Sequence, residues 1–176
     1  MFPGIEHEVD AYWRSTVEPY WREIARTTEP LDGLRLCSSS SPERSCTTAT
    51  FQRLGSATPS LAVNLDPSHL FWQSMDPLEV VRRLFGRIGF AHGKDTVLDD
   101  DRVALDGVLD RGAWRYATVG HGRGVEWWRA FVEELRRAGY DGVLSIEYED
   151  PLVAAEESVV GAAGVLADAL AEQAVR

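Results

Sequence analysis

Short apolar runs recur along the chain with the length and composition of buried β-strands. They are rich in Leu, Val, Ile and Ala, as is typical of parallel strands that are covered on both faces. The runs are residues 61–65, 88–91 and 143–146. Segments with helical spacing separate them. Strands that alternate with helices of about ten or more residues predict repeated βα units on a parallel sheet, which is an α/β fold.

Two helices are expected near the ends of the chain. The first spans residues 10–27, where aromatic and apolar residues recur at helical spacing. Asp10 is its expected cap, and Pro19 marks a point where the helix bends or divides. The last helix is rich in Ala and is expected to open at Asp150-Pro151, a capping residue followed by a first-turn proline.

Two further helices lie between the strands. One is expected to open at Asp76-Pro77, again a cap followed by proline. The other spans residues 125–138 and stops at Gly139, a residue suited to the end of a helix. The apolar residues predicted to face the core are Leu78, Val81, Leu84 and Phe85 in the first of these helices, and Trp128, Phe131, Val132 and Leu135 in the second.

Three stretches show neither the helical nor the strand-like spacing of apolar residues. Residues 99–110 form a polar, Asp-rich segment that is expected to be a loop. Gly120, Gly122 and Gly124 lack the Lys-Ser/Thr of a phosphate-binding loop, so a turn leading into the next helix is the favoured interpretation. Residues 37–48 are serine-rich, neither strand-like nor helical, and anomalous within a chain that otherwise forms a single domain over residues 1–176.

Composition narrows the class of protein. The 176 residues are 44% hydrophobic, which is enough apolar material for a core. A formal charge of −10 repels phosphate backbones and anionic lipids, so neither nucleic acid nor membrane is an expected partner. Two cysteines, Cys37 and Cys46, signal neither a disulfide framework nor a zinc finger. No targeting segment or membrane-spanning run is recognisable, and a cytoplasmic location is expected.

Acidic and imidazole side chains follow each of the three strand candidates. The C-terminal ends of parallel strands form the active-site rim of α/β barrels, so side chains at these positions converge on one mouth. Carboxylate and imidazole ligands from separate strands suit a divalent metal such as Mn²⁺, Mg²⁺, Co²⁺ or Zn²⁺. The residues concerned are Asp66, His69, His92, Lys94, Asp95, Glu147, Glu149 and Asp150.

Each of these residues also has a local structural interpretation. Asp66 before Pro67 is able to cap a turn, and a histidine is often hydrogen-bonded within a core. For Lys94 and Asp95 the structural and functional interpretations are evenly balanced. For Glu149 and Asp150 capping of the last helix is the favoured interpretation.

Sequence strings around these residues resemble a known family. The match covers roughly residues 50 to 170, and its motifs occur in a consistent order. It resembles the xylose isomerase-like TIM barrel family of sugar phosphate isomerases and epimerases, and this chain resembles the C-terminal half. The strings are Asn64-Leu-Asp-Pro-Ser-His69-Leu-Phe-Trp, Ala91-His-Gly-Lys-Asp95-Thr, Val119-Gly-His-Gly122 and Gly139-Tyr-Asp-Gly-Val-Leu-Ser-Ile-Glu147-Tyr-Glu-Asp150-Pro.

The resemblance implies roles for five residues. Asp66, His92 and Glu147 match three of the four metal ligands of the family, and His69 matches a contact to a substrate hydroxyl. Lys94 is expected to face the substrate. The implied reaction removes a proton next to the carbonyl of a sugar or sugar phosphate, and Glu147 is one of two glutamates that act as acid and base.

Two departures from the family follow from the same comparison. A TIM barrel has eight βα units in about 250 residues, whereas this chain supplies roughly the last four. A partial barrel of this kind exposes two sheet edges, and self-association through them is expected, as is loss of activity in a truncated chain. The fourth metal ligand, a glutamate, is missing from the serine-rich segment, which contains only Glu43.

A frame change is one explanation for that missing glutamate. With GC-rich codons, residues 38–48 read one base earlier become Leu-Glu-Leu-Leu-Pro-Gly-Thr-Leu-Val-Tyr-Asn, an apolar strand that carries a Glu. We hypothesise a short compensated frameshift in the gene or its sequencing, which predicts poor order over this segment. A genuine polar loop is the alternative, and resequencing of the locus distinguishes the two.

Two other functions are compatible with the same barrel. An AP endonuclease-type zinc phosphodiesterase carries an additional Asp-x-His metal pair before the glycine-rich turn. Trp114 and Tyr116 stand in those places, and the negative charge opposes DNA binding, which favours the isomerase. The other alternative is a non-catalytic barrel remnant, which would aggregate or pair with another chain.

Overall fold

The computed structural model describes residues 5–28, 37–39 and 48–171. In these residues a four-stranded sheet has the order β1-β2-β3-β6, and β4 and β5 form a separate pair. The strands are β1 (Cys37–Ser39), β2 (Ala62–Leu65), β3 (Ile88–Gly93), β4 (Asp95–Leu98), β5 (Trp114–Ala117) and β6 (Leu144–Ile146). The helices are α1 (Ile5–Tyr12), α2 (Glu18–Thr28), α3 (Thr48–Ala57), α4 (Ser68–Phe71), α5 (Pro77–Arg83), α6 (Asp100–Asp106), α7 (Val125–Arg137) and α8 (Ala155–Ala171).

All neighbouring strands of the larger sheet are parallel. Val63 of β2 lies opposite Ile88 of β3, and His92 of β3 lies opposite Ser145 of β6. The three apolar runs predicted as buried strands therefore do form adjacent strands, with helices in the connections. This arrangement confirms the predicted α/β fold of a partial TIM barrel, because parallel neighbours require a crossover.

Helix α7 packs against α5 and α8 and shares one hydrophobic core with residues of β2 and β3. Its four predicted core residues are all buried, and Trp128 and Phe131 are completely inaccessible to solvent. Gly139 follows the helix with φ +83, a left-handed conformation that favours glycine, so its predicted stop is confirmed. The prediction for Phe85 was wrong, since α5 ends at Arg83 and the Phe85 ring is 69% exposed.

The predicted cap of α5 is confirmed by its hydrogen bonds. The Asp76 carboxylate accepts from the backbone N–H groups of Leu78 at 2.9 Å and Glu79 at 3.4 Å. We expect Asp76→Ala to lower the free energy of unfolding by about 1 kcal/mol, because these two donors lose their acceptor. Urea denaturation measures the change. Asp76→Asn keeps an acceptor and is the matched control, so an equal loss in both variants would contradict the capping explanation.

The first helical region is longer than predicted. Helix α1, a π-helical segment at Trp13–Val17 and α2 follow one another without a break. Asp10 therefore lies inside α1, where it pairs with Arg14, and the prediction that it caps the helix was wrong. The helix is not divided at Pro19, which lies inside α2. Proline has no N–H to donate to the preceding turn, and the wider π-helical turn ends at Val17, two residues before it.

The serine-rich segment is partly strand. Residues Cys37–Ser39 form β1, which pairs in parallel with β2 so that Ser39 lies opposite Asn64. The expectation that this segment is not strand-like was therefore wrong for these three residues. Residues 40–47, where the rest of the anomalous segment falls, lie outside the described residues.

Two other elements differ from the sequence predictions. The Asp-rich stretch contains helix α6 and lies between β4 and β5, which pair antiparallel from Asp95 opposite Ala117 to Leu98 opposite Trp114. The last helix begins at Ala155 and not at Asp150, whose carboxylate accepts from the N–H groups of Leu152 and Thr118.

The described sheet ends at β1 on one side and at β6 on the other. A groove of about 620 Å³ lies beside β6 and is lined by apolar residues that include Val132, Leu144 and Leu166. Self-association through these edges stays a prediction. Within the described residues, no helix combines the length and apolar character required to cross a bilayer.

Candidate active site

Strand β2 places Asp66 at the C-terminal edge of the sheet. The Asp66 side chain is 3% exposed, and its Oδ1 accepts a hydrogen bond at 2.9 Å from the backbone N–H of Ser68. This local turn directs the carboxylate toward its neighbours, since Asp commonly binds the backbone two residues further on. Oδ2 of Asp66 lies 3.3 Å from His69 Nε2 and 3.1 Å from Lys94 Nζ.

Lys94 follows β3 directly and lies at the centre of the acidic residues. Its Nζ is 3.1 Å from Asp66, 3.3 Å from Glu147 and 2.8 Å from Glu149. Burial alone would lower the pKa of this amine, but the attraction of Asp66 and the hydrogen bonds to Glu149 and Asp66 outweigh burial and raise the pKa. The side chain is 2% exposed and carries its positive charge at neutral pH.

His92 and Glu147 meet across β3 and β6. The backbone N–H of Glu147 donates to the carbonyl of Gly93, which extends the pairing of the two strands by one residue. This places Glu147 Oε2 3.1 Å from His92 Nδ1. On its other side, His92 Nε2 lies 3.2 Å from the Asn64 amide nitrogen, which donates, so Nε2 accepts this hydrogen bond.

The surroundings of His92 Nδ1 indicate whether these residues suit a metal ion. The atom is buried and has no hydrogen-bond partner in the structure, although the Glu147 carboxylate faces it at 3.1 Å. The two atoms face each other, but not in hydrogen-bonding geometry. An imidazole nitrogen and a carboxylate oxygen placed in this way suit coordination of a divalent cation. On this observation the residues present fit the metal that the resemblance implies.

The three predicted ligands lie in one cluster but do not all touch. Glu147 contacts His92, whereas Asp66 reaches the same cluster through Lys94. Throughout the described ranges, no group of three His, Cys, Asp or Glu side chains is arranged as it stands to hold a metal ion. The Lys94 ammonium lies between Asp66 and Glu147, and this accounts for their separation.

An aromatic wall borders the cluster, formed by Trp72, Trp114 and Tyr116. The Tyr116 hydroxyl lies 2.9 Å from His69 Nδ1, and the ring lies 4.4 Å below the Lys94 ammonium. Trp72 stacks on Trp114 with ring centroids 4.8 Å apart. Burial lowers the pKa of His69 and raises the pKa of Tyr116, so at neutral pH both side chains are uncharged.

Asp95 has a structural role. Its buried carboxylate accepts from the backbone N–H groups of Thr96, Gly120, Gly122 and Arg123 at 2.8–3.2 Å. A Cβ on Gly122 would lie 2.2 Å from the carbonyl oxygen of Thr96, so this close approach requires glycine. The glycine-rich segment is thus a turn that leads into α7, as predicted, and Asp95 holds it in place.

The capping interpretations of Glu149 and Asp150 were wrong. Glu149 accepts a hydrogen bond from Lys94 and belongs to the acidic cluster. Asp150 is 1% exposed, and it accepts from the backbone N–H and the hydroxyl of Thr118 at 2.8 and 3.0 Å and from Arg115 at 3.0 Å. It therefore ties β5 to the segment after β6.

Sequence reasoning missed three residues of the cluster. Glu149 is an acidic residue two positions after Glu147, which was a signal for the cluster. Its position before Asp150-Pro151 instead favoured a cap of the last helix. Asn64 precedes the predicted Asp66 by two positions and so lies on the same face of β2. Tyr116 was considered only as a residue in the place of a metal ligand, and no strand was predicted for the segment that carries it.

Comparison with known proteins gives two kinds of match. A family model described as the xylose isomerase-like TIM barrel matches residues 1–169. The protein YfiH of Bacillus subtilis (strain 168) is 30% identical over 167 residues, which cover 89% of this chain and 53% of YfiH.

Two solved structures share the fold. One is a xylose isomerase domain protein from Planctomyces limnophilus, with a TM-score of 0.62, 19% identity and coverage of 92% of this chain and 56% of that chain. The other is an L-ribulose 3-epimerase, with a TM-score of 0.58, 16% identity and coverage of 90% and 56%. The chain thus spans about half the length of the proteins it matches. From the family match and the parallel sheet that bears it out, the chain belongs to the xylose isomerase-like TIM barrel family.

Proposed function

We propose that this chain is the part of a metal-dependent sugar or sugar phosphate isomerase or epimerase that carries most of its active site. The proposal rests on the clustering of Asp66, His92 and Glu147 at the ends of three adjacent strands. Lys94 lies between Asp66 and Glu147. The solved L-ribulose 3-epimerase, whose fold this chain shares, supports a sugar as the substrate.

Glu147 is proposed as the acid/base residue. Its carboxylate is 38% exposed, so it reaches a substrate in the barrel mouth while its backbone remains bound to β3. There it removes the proton from the carbon next to the carbonyl and returns it to the enediolate. Asp66, His92 and Glu147 would hold a divalent metal, which would supply positive charge to stabilise the oxygen anion of the substrate.

The remaining residues suit recognition of a sugar. His69 is neutral, and its two ring nitrogens face Asp66 and Tyr116, so a substrate hydroxyl would bind His69 by replacing one of these partners. The aromatic wall provides ring faces beside a few oriented polar groups, which is the composition of a small-molecule site. Lys94 is proposed as a further substrate contact.

Deuterium uptake from D₂O into ketoses and ketose phosphates tests the proposed reaction. We expect near-background exchange by the 176-residue chain, because a second acid/base carboxylate is worth about 10²–10⁴-fold in rate. The comparison protein is YfiH with its matching region replaced by this chain, which carries Ser38→Leu, Ser39→Glu and Ser40→Leu. It is expected to show metal-dependent exchange.

These proteins test separately whether the second glutamate is required and whether the reaction is an isomerisation. A version of the longer protein that carries Ser38→Leu, Ser39→Gln and Ser40→Leu is the matched control, since it differs only in the carboxylate. Robust exchange by the unmodified chain would show that the second glutamate is not required. No exchange by the longer protein on any sugar would count against the isomerase itself.

A further inference from the structure

Lys94 is the only lysine in the sequence, and the other 17 of its 18 basic residues are arginines. Its side chain is 2% exposed, whereas the arginines within the described residues lie mainly at the surface. The chain therefore has a single ammonium group on a side chain, and the fold places it inside the acidic cluster of the proposed site.

The ammonium contacts two of the carboxylates that a metal would need. It lies within 3.3 Å of one oxygen of Asp66, one of Glu147 and one of Glu149. Two of these carboxylates are also the proposed metal ligands. A divalent cation bound to them would meet the ammonium at contact distance, and two cations so close repel each other strongly in a site of low dielectric constant.

Two contacts of the ammonium, with Glu149 and with Tyr116, do not involve the proposed metal ligands. Glu149 is not a proposed ligand, its side chain is 46% exposed, and it holds Nζ at 2.8 Å. The face of Tyr116 lies 4.4 Å from the same atom, which is within cation–π range. Lysine suits such a movement because its compact charge is on a flexible stem, whereas the planar guanidinium of arginine is held in a fixed fork.

We propose that the Lys94 ammonium is an internal cation that competes with the metal, and that a divalent ion enters by displacing it toward Glu149 and Tyr116. The inference rests on the proposed metal site and deepens it. Metal binding is then coupled to exposure of one amine, which becomes available to a substrate hydroxyl or phosphate.

Amine labelling of the chain tests the displacement without an activity assay. The chain is treated with the N-hydroxysuccinimide ester of acetic acid over a series of Mn²⁺ concentrations, and labelling of Lys94 is followed by mass spectrometry. We expect slow labelling that rises at least about tenfold as Mn²⁺ saturates, because the displaced amine leaves its buried position. An Arg111→Lys variant provides an exposed reference amine whose labelling should not respond to Mn²⁺.

Calorimetric titration with Mn²⁺ supplies the second arm. Lys94→Met removes the competing cation and is expected to bind Mn²⁺ at least about tenfold more tightly than the unchanged chain. Arg111→Met removes one positive charge at an exposed position and is expected to leave the affinity unchanged. If Lys94→Met does not fold, labelling of the unchanged chain decides the question.

The outcomes separate this inference from the proposed function. Mn²⁺ binding by calorimetry with unchanged Lys94 labelling, or with equal affinity in Lys94→Met, would overturn the displacement and leave the metal site standing. Binding of Mn²⁺ by neither the unchanged chain nor folded Lys94→Met would overturn the metal site and the displacement together.

Discussion

Replacing Glu147 by Gln is expected to reduce deuterium exchange by about 10²–10⁴-fold in the longer protein that combines this chain with YfiH. The amide keeps the size of the side chain but cannot take the proton from the carbon next to the carbonyl. Glu147 also contacts His92 at 3.1 Å, so the variant is expected to bind Mn²⁺ more weakly as well. Exchange rates at saturating Mn²⁺ distinguish loss of the base from loss of the metal.

Glu149→Gln is the matched control for this variant. Glu149 contacts Lys94 as Glu147 does, but no contact joins it to His92 among the described residues. Its replacement is therefore expected to leave exchange within about tenfold of the parent, as for a group outside the proton transfer. Equal losses in the two variants would mean that the rate depends on the charge of the cluster and not on a particular base.

Asp66→Ala is expected to lower the free energy of unfolding of the 176-residue chain by about 3–5 kcal/mol. Asp66 and Lys94 are both almost fully buried, and their charged atoms lie 3.1 Å apart. Without Asp66 the buried ammonium is balanced only by Glu147 and Glu149, whose side chains are 38% and 46% exposed. The loss is a large part of the stability of a typical domain, and urea denaturation measures it.

An exposed aspartate provides the comparison. Asp99 caps α6 by accepting from the N–H of Arg102, and its side chain is 49% exposed. Asp99→Ala is expected to cost about 1 kcal/mol, as is usual for a lost cap. A similar small loss in Asp66→Ala would show that solvent screens the Asp66–Lys94 pair and that the buried charge costs little.

The predicted convergence of side chains at one edge of the sheet is seen where two local patterns coincide. An apolar run identifies a buried strand, and a polar residue directly after the run lies at the end of that strand. Because parallel strands end at the same edge, Asp66, His92 and Glu147 could be placed in one cluster before any contact was known. The same logic brought Lys94 into the cluster but did not indicate that its ammonium binds three carboxylates.

Capping signals were less dependable. Asp76-Pro77 and Asp150-Pro151 have the same local pattern, yet only the first opens a helix. Both carboxylates accept from the backbone N–H two residues on, and Asp150 differs in also binding Thr118 and Arg115 across more than thirty residues of sequence. A local pattern shows which groups are able to cap, and the fold decides whether a helix begins there.

The order of apolar and polar residues along this chain was sufficient for the α/β class, the three apolar strands, the buried face of α7 and the strand ends that carry the site. These features depend on periodicity and on residues close in sequence. The pairing of β1 with β2, the antiparallel pair that brings Tyr116 to His69, and the position of Lys94 among Asp66, Glu147 and Glu149 were decided by the tertiary structure alone. Each joins residues that are far apart in sequence, and such contacts are stabilised only when the whole fold brings their strands together and removes water from between them.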